Sequence, residues 1–350
     1  MITKLGAKLR RTRESLGITQ EELSKSVGLS SEFISLLEVG KRAPSLDSLQ
    51  KLAAFLNKDM SYFLEEKETS FEVLLNDKKM SREIRSEIRH FKRYCEDYLH
   101  LENLTGRRLE AAPLYHSASP EIMAFEERER LGLGDEPVHD IFGLVEMNGL
   151  RILRQAVAPK AQVAGILVYF SAEEAGFALV STSLTQGELR LITAHQYCHF
   201  LKDRMDGPIL DNADTVFEDY LPLYHPREKF AHRFAVNFLV PPLKLRRIHQ
   251  KEVSARSLHF EDVIYLKRYF GVNTSLMLRR LLELDLLSTQ KYYGFKEIDF
   301  FDFEKSLFGD VVGDAKAFKG KGKTLSSERY KILGVSAYQK DKAAKDKTAS

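Results

Sequence analysis

A chain of 350 residues, 43% hydrophobic and 29% charged, has an ordinary globular composition that excludes wholesale disorder, and it is long enough for two or three domains. The net charge of +3 is uneven: residues 311–350 hold ten Lys/Arg against four Asp/Glu, while the first 310 carry 43 basic and 46 acidic groups. Nucleic-acid binding by the bulk of the chain must therefore come from a local arrangement, not from a broadly basic surface. No apolar run reaches the roughly 18 residues of a membrane span, and Met1–Lys4 offer no apolar signal core. Cys95 and Cys198 alone exclude a disulfide framework, so a cytoplasmic protein with no membrane contact is expected.

Four regions follow in chain order: 1–65, 66–117, 118–290 and 291–350. In the first, Leu5, Leu9 and Leu16 share a helix face. Thr19 and Glu22 are spaced as a capping box that opens a second helix carrying Leu23 and Val27. Gly28 suits a left-handed turn, and Ser30 or Ser31 caps a third helix with Phe33, Ile34 and Leu37. After Gly40–Ser45 a fourth helix runs through Leu46, Leu49, Leu52, Ala53 and Leu56. Two short helices joined by a glycine-containing turn are the geometry that places the second in the DNA major groove.

From Leu5 to Leu64 the sequence resembles the Xre/lambda-repressor family of helix-turn-helix domains, through Gly17-Ile18-Thr19-Gln20-Glu21-Glu22-Leu23 and Glu38-Val39-Gly40-Lys41-Arg42-Ala43-Pro44-Ser45. The resemblance implies that Ser31, Glu32 and Ser35 face base edges, that Gln20, Lys41 and Arg42 hold phosphates, and that operator binding needs a homodimer. With ten basic and eight acidic residues in this region, a domain of this fold that binds only protein is the competing expectation.

Residues 66–117 read as a charged helical connector, from Phe71 through Tyr98, ending at breakers around Pro113, Ser117 and Pro120. In the third region, Ala164–Phe170 and Ala175–Ser181 are apolar, β-leaning and separated by Ser171-Ala172-Glu173-Glu174, which predicts a hairpin. A helix over Glu188–Asp203 contains His195-Gln196-Tyr197-Cys198-His199. Histidines four apart lie on one helix face and reach a single metal ion, and Glu228, opening a later helix, is a candidate third ligand. Two His and one Glu with an open position for water is the catalytic zinc arrangement.

From Ser119 to about Leu287 the sequence resembles the ImmA/IrrE family of zinc metallopeptidases. The likeness runs through Glu126-Glu127-Arg128, Leu131-Gly132-Leu133-Gly134, Ile141–Leu150 leading into a "GLRIL" turn, Leu191–His195, and Glu228-x-x-Ala231-x-x-Phe234-Ala235 closing at Pro241. Phe260-Glu261-Asp262-Val263 and Phe270–Ser275 extend it. It implies a gluzincin-like α+β peptidase domain with His195, His199 and Glu228 binding Zn2+, within a multidomain chain that begins with an all-α helix-turn-helix domain and ends in a mostly helical extension. The family motif is H-E-x-x-H, whose glutamate takes the proton from zinc-bound water; here that position is Gln196. An amide is no base near neutral pH, so metal binding is expected to survive while cleavage falls by roughly 10²–10⁴ or more. Gln196 is compatible with a natural loss that leaves a sensor and with a Glu→Gln replacement that traps substrate.

His232, one turn after Glu228, is a donor behind the ligands, a competing ligand or a helix-surface histidine. Tyr224 and His225 are candidates to polarise a scissile carbonyl, or a loop pair; Cys198 is expected to pack. The last region places Phe295, Phe300, Phe301, Phe303, Phe308 and Phe318 against the preceding domain and ends in a frayed Lys-rich tail, Lys340–Lys347. Together these features predict a DNA-binding regulator carrying a zinc peptidase. By the resemblance, its substrate is a helix-turn-helix repressor of stress, phage or mobile-element genes, a toxin–antitoxin partner, or its own 66–117 segment. The rival is a non-catalytic transcription factor whose metal domain senses or dimerises.

Overall fold

The computed structural model describes residues 2–15, 18–56, 58, 60, 63, 70–77, 80–157, 163–213, 226–253, 257–317 and 325–348. They fall into two compact units, Met1–Thr69 and Ser70–Ser350.

The first unit contains α1 (Ile2–Ser15), α2 (Gln20–Val27), α3 (Ser31–Glu38) and α4 (Leu46–Phe55). Thr19 and Glu22 form the expected capping box, and Gly28 (φ 66°) ends α2 in the left-handed conformation that only glycine adopts without strain. Ser30, not Ser31, caps α3 by accepting from the Phe33 N–H. Leu5, Leu9, Leu23, Ile34, Leu37 and Leu52 fill the core; Leu16 lies outside the described residues. Beside this core, buried Arg13 donates two hydrogen bonds to Glu38, at 2.7 and 3.0 Å, and ties α1 to the end of α3.

The second unit opens with α5 (Ser70–Asn76), α6 (Arg82–Thr105), α7 (Pro120–Arg130) and α8 (Ile141–Met147). The predicted hairpin is present as β2 (Val163–Phe170) and β3 (Ala175–Ser181), and two further strands, β1 (Leu150–Gln155) and β4 (Ile209–Asn212), complete a sheet of order β1-β3-β2-β4. β1 runs parallel to β3; β2 is antiparallel to β3 and β4. The expected "GLRIL" turn is thus only Gly149, after which the chain is strand.

α9 (Gln186–Lys202) lies against one face of this sheet, over Ala164, Leu167, Ala178 and Val180. Between Val163 and Gly165 the pairing with β4 slips, leaving Ala164 as an extra residue. Ala164 and Gly165 both face α9 as a result, and a strand bends at such a bulge. α10 (Pro226–Leu239), α11 (Pro242–Glu252), α12 (Phe260–Phe270), α13 (Thr274–Glu283), α14 (Thr289–Lys296) and α15 (Phe300–Phe308) follow, and α16 (Glu328–Thr348) ends the described chain.

Two expectations are corrected on the other face. The 66–117 stretch is no connector from Ser70 onward: α6 presents Ile88, Phe91, Cys95 and Tyr98 to Ile166, Val168, Phe177 and Leu179 of the sheet. Its apolar stripe has a core to bury against, and the charged groups occupy its other faces. The tail is not frayed across Lys340–Lys347 but helical, with Leu333 of α16 buried in the same core and the Lys340 ammonium donating to the Thr105 carbonyl at 3.0 Å. Of the aromatic cluster, Phe295, Phe300 and Phe303 pack on the main core, whereas Phe301 and Phe308 are exposed; Phe318 lies outside the described residues.

Glu102, on α6, joins three parts of this layer. Its carboxylate accepts from Arg151 of β1 at 2.6 Å and from Arg329 of α16 at 2.9 Å, and Glu102 and Arg151 are both 1% exposed. Removing one partner of such a pair leaves an uncompensated buried charge. Glu102→Ala is therefore expected to destabilise the second unit by about 3–5 kcal/mol, read as a lower denaturant midpoint with an unchanged slope.

Candidate metal centre and nucleic-acid interface

α9 starts at a capping box of Thr185 and Glu188 and is buried almost all round. Tyr197 anchors it by donating to Glu127 of α7, a buried carboxylate that also receives Arg130 at 2.6 and 2.7 Å and Tyr115 at 2.9 Å. Arg128, from the same sequence motif, donates to the carbonyls of Gly134, Phe238 and Glu136. That motif therefore builds the scaffold around α9 and not the site itself.

His195 and His199 project from one face of α9 toward Glu228, in the first turn of α10. The Nε2 atoms of the two histidines are 3.0 Å apart, and each is 3.2 Å from Glu228 Oε2. Asp211 of β4 completes the group, with Oδ2 at 3.3 Å from His195 Nε2. All four donor atoms lie within 4.8 Å of one another. Along β4, Ile209 and Asp211 point inward on alternate residues. The residues called from sequence as ligands are thus brought together, and Asp211 was missed.

Electrostatics in this pocket favour positive charge among the donors. Burial alone would pull the His199 imidazole down, but hydrogen bonds to Asp203 and Glu228 push it up to about 9. Burial would likewise raise Glu228, yet the two histidines outweigh it and hold its carboxyl well below the usual carboxylate range. Asp211, away from solvent, is pushed up by desolvation. The donor chemistry fits a divalent metal ion: two facing imidazole nitrogens and carboxylate oxygens, with edges near the about 3.3 Å expected for a tetrahedron of roughly 2.0 Å bonds. Asp203 accepts from His199 Nδ1 at 2.6 Å and fixes that ring with Nε2 toward the other donors. Asp203 was also missed, although its spacing of four from His199 on one helix was a readable signal.

Gln196, between the histidines in sequence, is fully buried, and its amide N–H donates to Asp211 Oδ2 while Oε1 has no hydrogen-bond partner among the described residues. A Cβ on Gly165 would lie 2.6 Å from Gln196 Nε2, so the strand opposite accommodates this side chain by having none there. His232 is buried on α10 but is not among the four donors; it lines a cavity with Glu188, Leu191 and Arg279. Tyr224 and His225 lie outside the described residues. Burial pushes the Cys198 thiol up, in keeping with a packing residue.

In the first unit, Ser31 and Glu32 are exposed at the start of α3 and Ser35 is half-buried one turn on. Lys41 and Arg42 are exposed, the Arg42 guanidinium lying 4.7 Å over the Phe33 ring. The Gln20 amide donates to Glu38 at 2.7 Å, so one of its N–H groups is engaged within the domain.

Residues 9–63 match the helix-turn-helix family, and residues 157–282 match the IrrE N-terminal-like domain of the M78 peptidase family. An uncharacterized HTH-type transcriptional regulator of Archaeoglobus fulgidus is 46% identical over 50 residues, which cover 14% of this chain and 71% of that protein. The chain belongs to the helix-turn-helix transcriptional regulators. The ImmF control region 10 kDa protein of Bacillus phage phi105 is 33% identical over 58 residues, covering 17% of this chain and 64% of that protein. Among solved structures, Bacillus thuringiensis PlcR in complex with the peptide PapR7 and DNA aligns with 88% of this chain and 100% of that one, at 15% identity and a TM-score of 0.19, too low to show a common overall fold. The regulator's M78-type match contains all four donors, His195, His199, Asp211 and Glu228. No helix among the described residues is long and apolar enough to cross a membrane.

Because Asp203 orients His199, Asp203→Ala is expected to weaken divalent-metal affinity about 10–100-fold without unfolding the domain, as measured by competition with a chromogenic chelator.

Proposed function

We propose that this chain is a transcription regulator that reads operator DNA through α3 and holds a zinc ion in an M78-type domain whose peptide hydrolysis is suppressed at position 196. Gln196 carries this reading: its amide occupies the general-base position, fully buried, and donates to Asp211. An amide does not accept a proton near neutral pH, so the group that would activate water and deliver its proton to a leaving amine is lacking. Two imidazoles and carboxylate oxygens suit zinc among the divalent ions, and zinc bound there supplies Lewis acidity. Around it, His195, His199 and Glu228 hold position, Asp203 orients His199, and Gln196 orients Asp211. Metal binding then serves regulation of the DNA-binding unit, with a homodimer as the operator-binding form.

A second reading is supported by the intact His195–His199–Glu228 set: the same domain as a silenced peptidase whose substrate is a helix-turn-helix repressor, a toxin–antitoxin partner or the chain's own 66–117 segment. Incubating the zinc-loaded protein and its Gln196→Glu variant with candidate repressors separates the two. The wild-type chain is expected to leave every candidate intact; fragments from it would refute suppression at Gln196. Cleavage by Gln196→Glu alone, with a gain of about 10²–10⁴ in rate, selects the second reading.

In the DNA unit, Ser31, Glu32 and Ser35 are assigned to base edges and Lys41 and Arg42 to phosphates, with Gln20 at the α2 N-terminus a further phosphate contact. Ser31→Ala with Ser35→Ala is expected to weaken one operator selectively. Lys41→Ala with Arg42→Ala is expected to weaken all sequences alike and reduce the salt slope by about 2. Filter binding across a salt series reads both; equal loss on every sequence from the serine pair refutes its assignment.

A further inference from the structure

We propose that Asp211 is a fourth metal donor, which closes the coordination shell of the His195–His199–Glu228 site against solvent and substrate. The proposal rests on the metal-binding reading above and adds to it a ligand and a coordination state. A three-ligand site with one open position does chemistry on water, whereas four protein ligands make a closed site of the structural kind.

Three observations converge on this. Asp211 Oδ2 is 3.3 Å from His195 Nε2, matching the 3.2 Å that separates Glu228 Oε2 from each histidine. That separation is the edge of a tetrahedron, whose donors with bonds of roughly 2.0 Å stand about 3.3 Å apart, and Asp211 lies within 4.8 Å of the other two donor atoms. The Ala164 bulge in the neighbouring strand sets Gly165, which has no side chain, directly opposite Asp211 in the ladder. Finally, the neighbouring amide suits a bound carboxylate. Gln196 Nε2 donates to the same Oδ2, which orients that oxygen and leaves it a further lone pair. A glutamate at 196 would set a second carboxylate against Asp211, which is 3% exposed. Like charges so close and so dry are not both kept. Gln196 and Asp211 are therefore a matched pair: the amide that cannot act as a base is the one that holds the closing ligand.

Cobalt(II) in place of zinc, bound to the full chain, reports coordination through its visible absorption, and acetohydroxamate reports an open position by binding there. The wild-type cobalt spectrum is expected to be that of a four-coordinate ion and to stay unchanged on adding excess acetohydroxamate. Asp211→Ala is expected to lose at least about tenfold in cobalt affinity and to gain a hydroxamate-dependent spectral shift. A shift in the wild-type protein, which needs no variant to fold, overturns the proposal. So does an Asp211→Ala protein with wild-type affinity. If His199→Ala abolishes cobalt binding and Asp211→Ala does not alter it, the metal reading stands and the fourth donor falls. If the wild-type chain takes up no cobalt, the metal reading itself falls and the fourth donor with it.

Discussion

Two imidazole nitrogens held 3.0 Å apart, with two carboxylates beside them and little exposure to solvent, favour positive charge between them. Buried carboxylates without a counter-charge are costly, and a cation among the donors, whether a metal ion or a shared proton, relieves that cost. The rest of the second unit can be understood as the frame that keeps these groups converged. α9 supplies both histidines from one face, α10 brings Glu228 across, and β4 raises Asp211 from the sheet. Each is fixed by contacts remote from the donors.

The frame is rigid where the site needs it. Glu127 gathers Tyr115, Arg130 and Tyr197 around the buried helix, so the histidines cannot shift without breaking a hydrogen-bonded cluster that has no solvent to replace it. On the sheet side, the absence of a side chain at Gly165 makes room for Gln196. The local sequence on two separate elements is thus adjusted to one amide. Position 196 belongs to a small packing unit that includes 165 and 211.

The elements that were legible in the sequence announce themselves locally. The Thr19–Glu22 box, Gly28 and the apolar positions of α2 and α3 are short-range signals, and the structure has them all. The His195–His199 spacing and Glu228 were legible for the same reason, since one helix turn fixes the first two. Asp211 was not, because a four-residue strand has too few residues to show alternation. β1 is hidden by Gly149 before it and by Arg151 and Arg154, which break up its apolar residues. The charge of α6 reads as a connector, yet Ile88, Phe91, Cys95, Tyr98 and Glu102 lie three and four apart on a stripe that the structure buries. The tail hides its order in the same way: its lysines dominate the composition, while the residues that dock it, Arg329 and Leu333, come earlier.

The Arg329–Glu102 ion pair joins positions 227 residues apart, and that span orders events during synthesis. The helix-turn-helix unit completes its contacts within its own first sixty-odd residues, so it can fold while the ribosome is still at work. The core between α6 and the sheet lacks Leu333 until its helix emerges, and long-range closure of this kind is slow. Newly made chains consequently pass through an interval in which the helix-turn-helix unit is complete and the second unit is not.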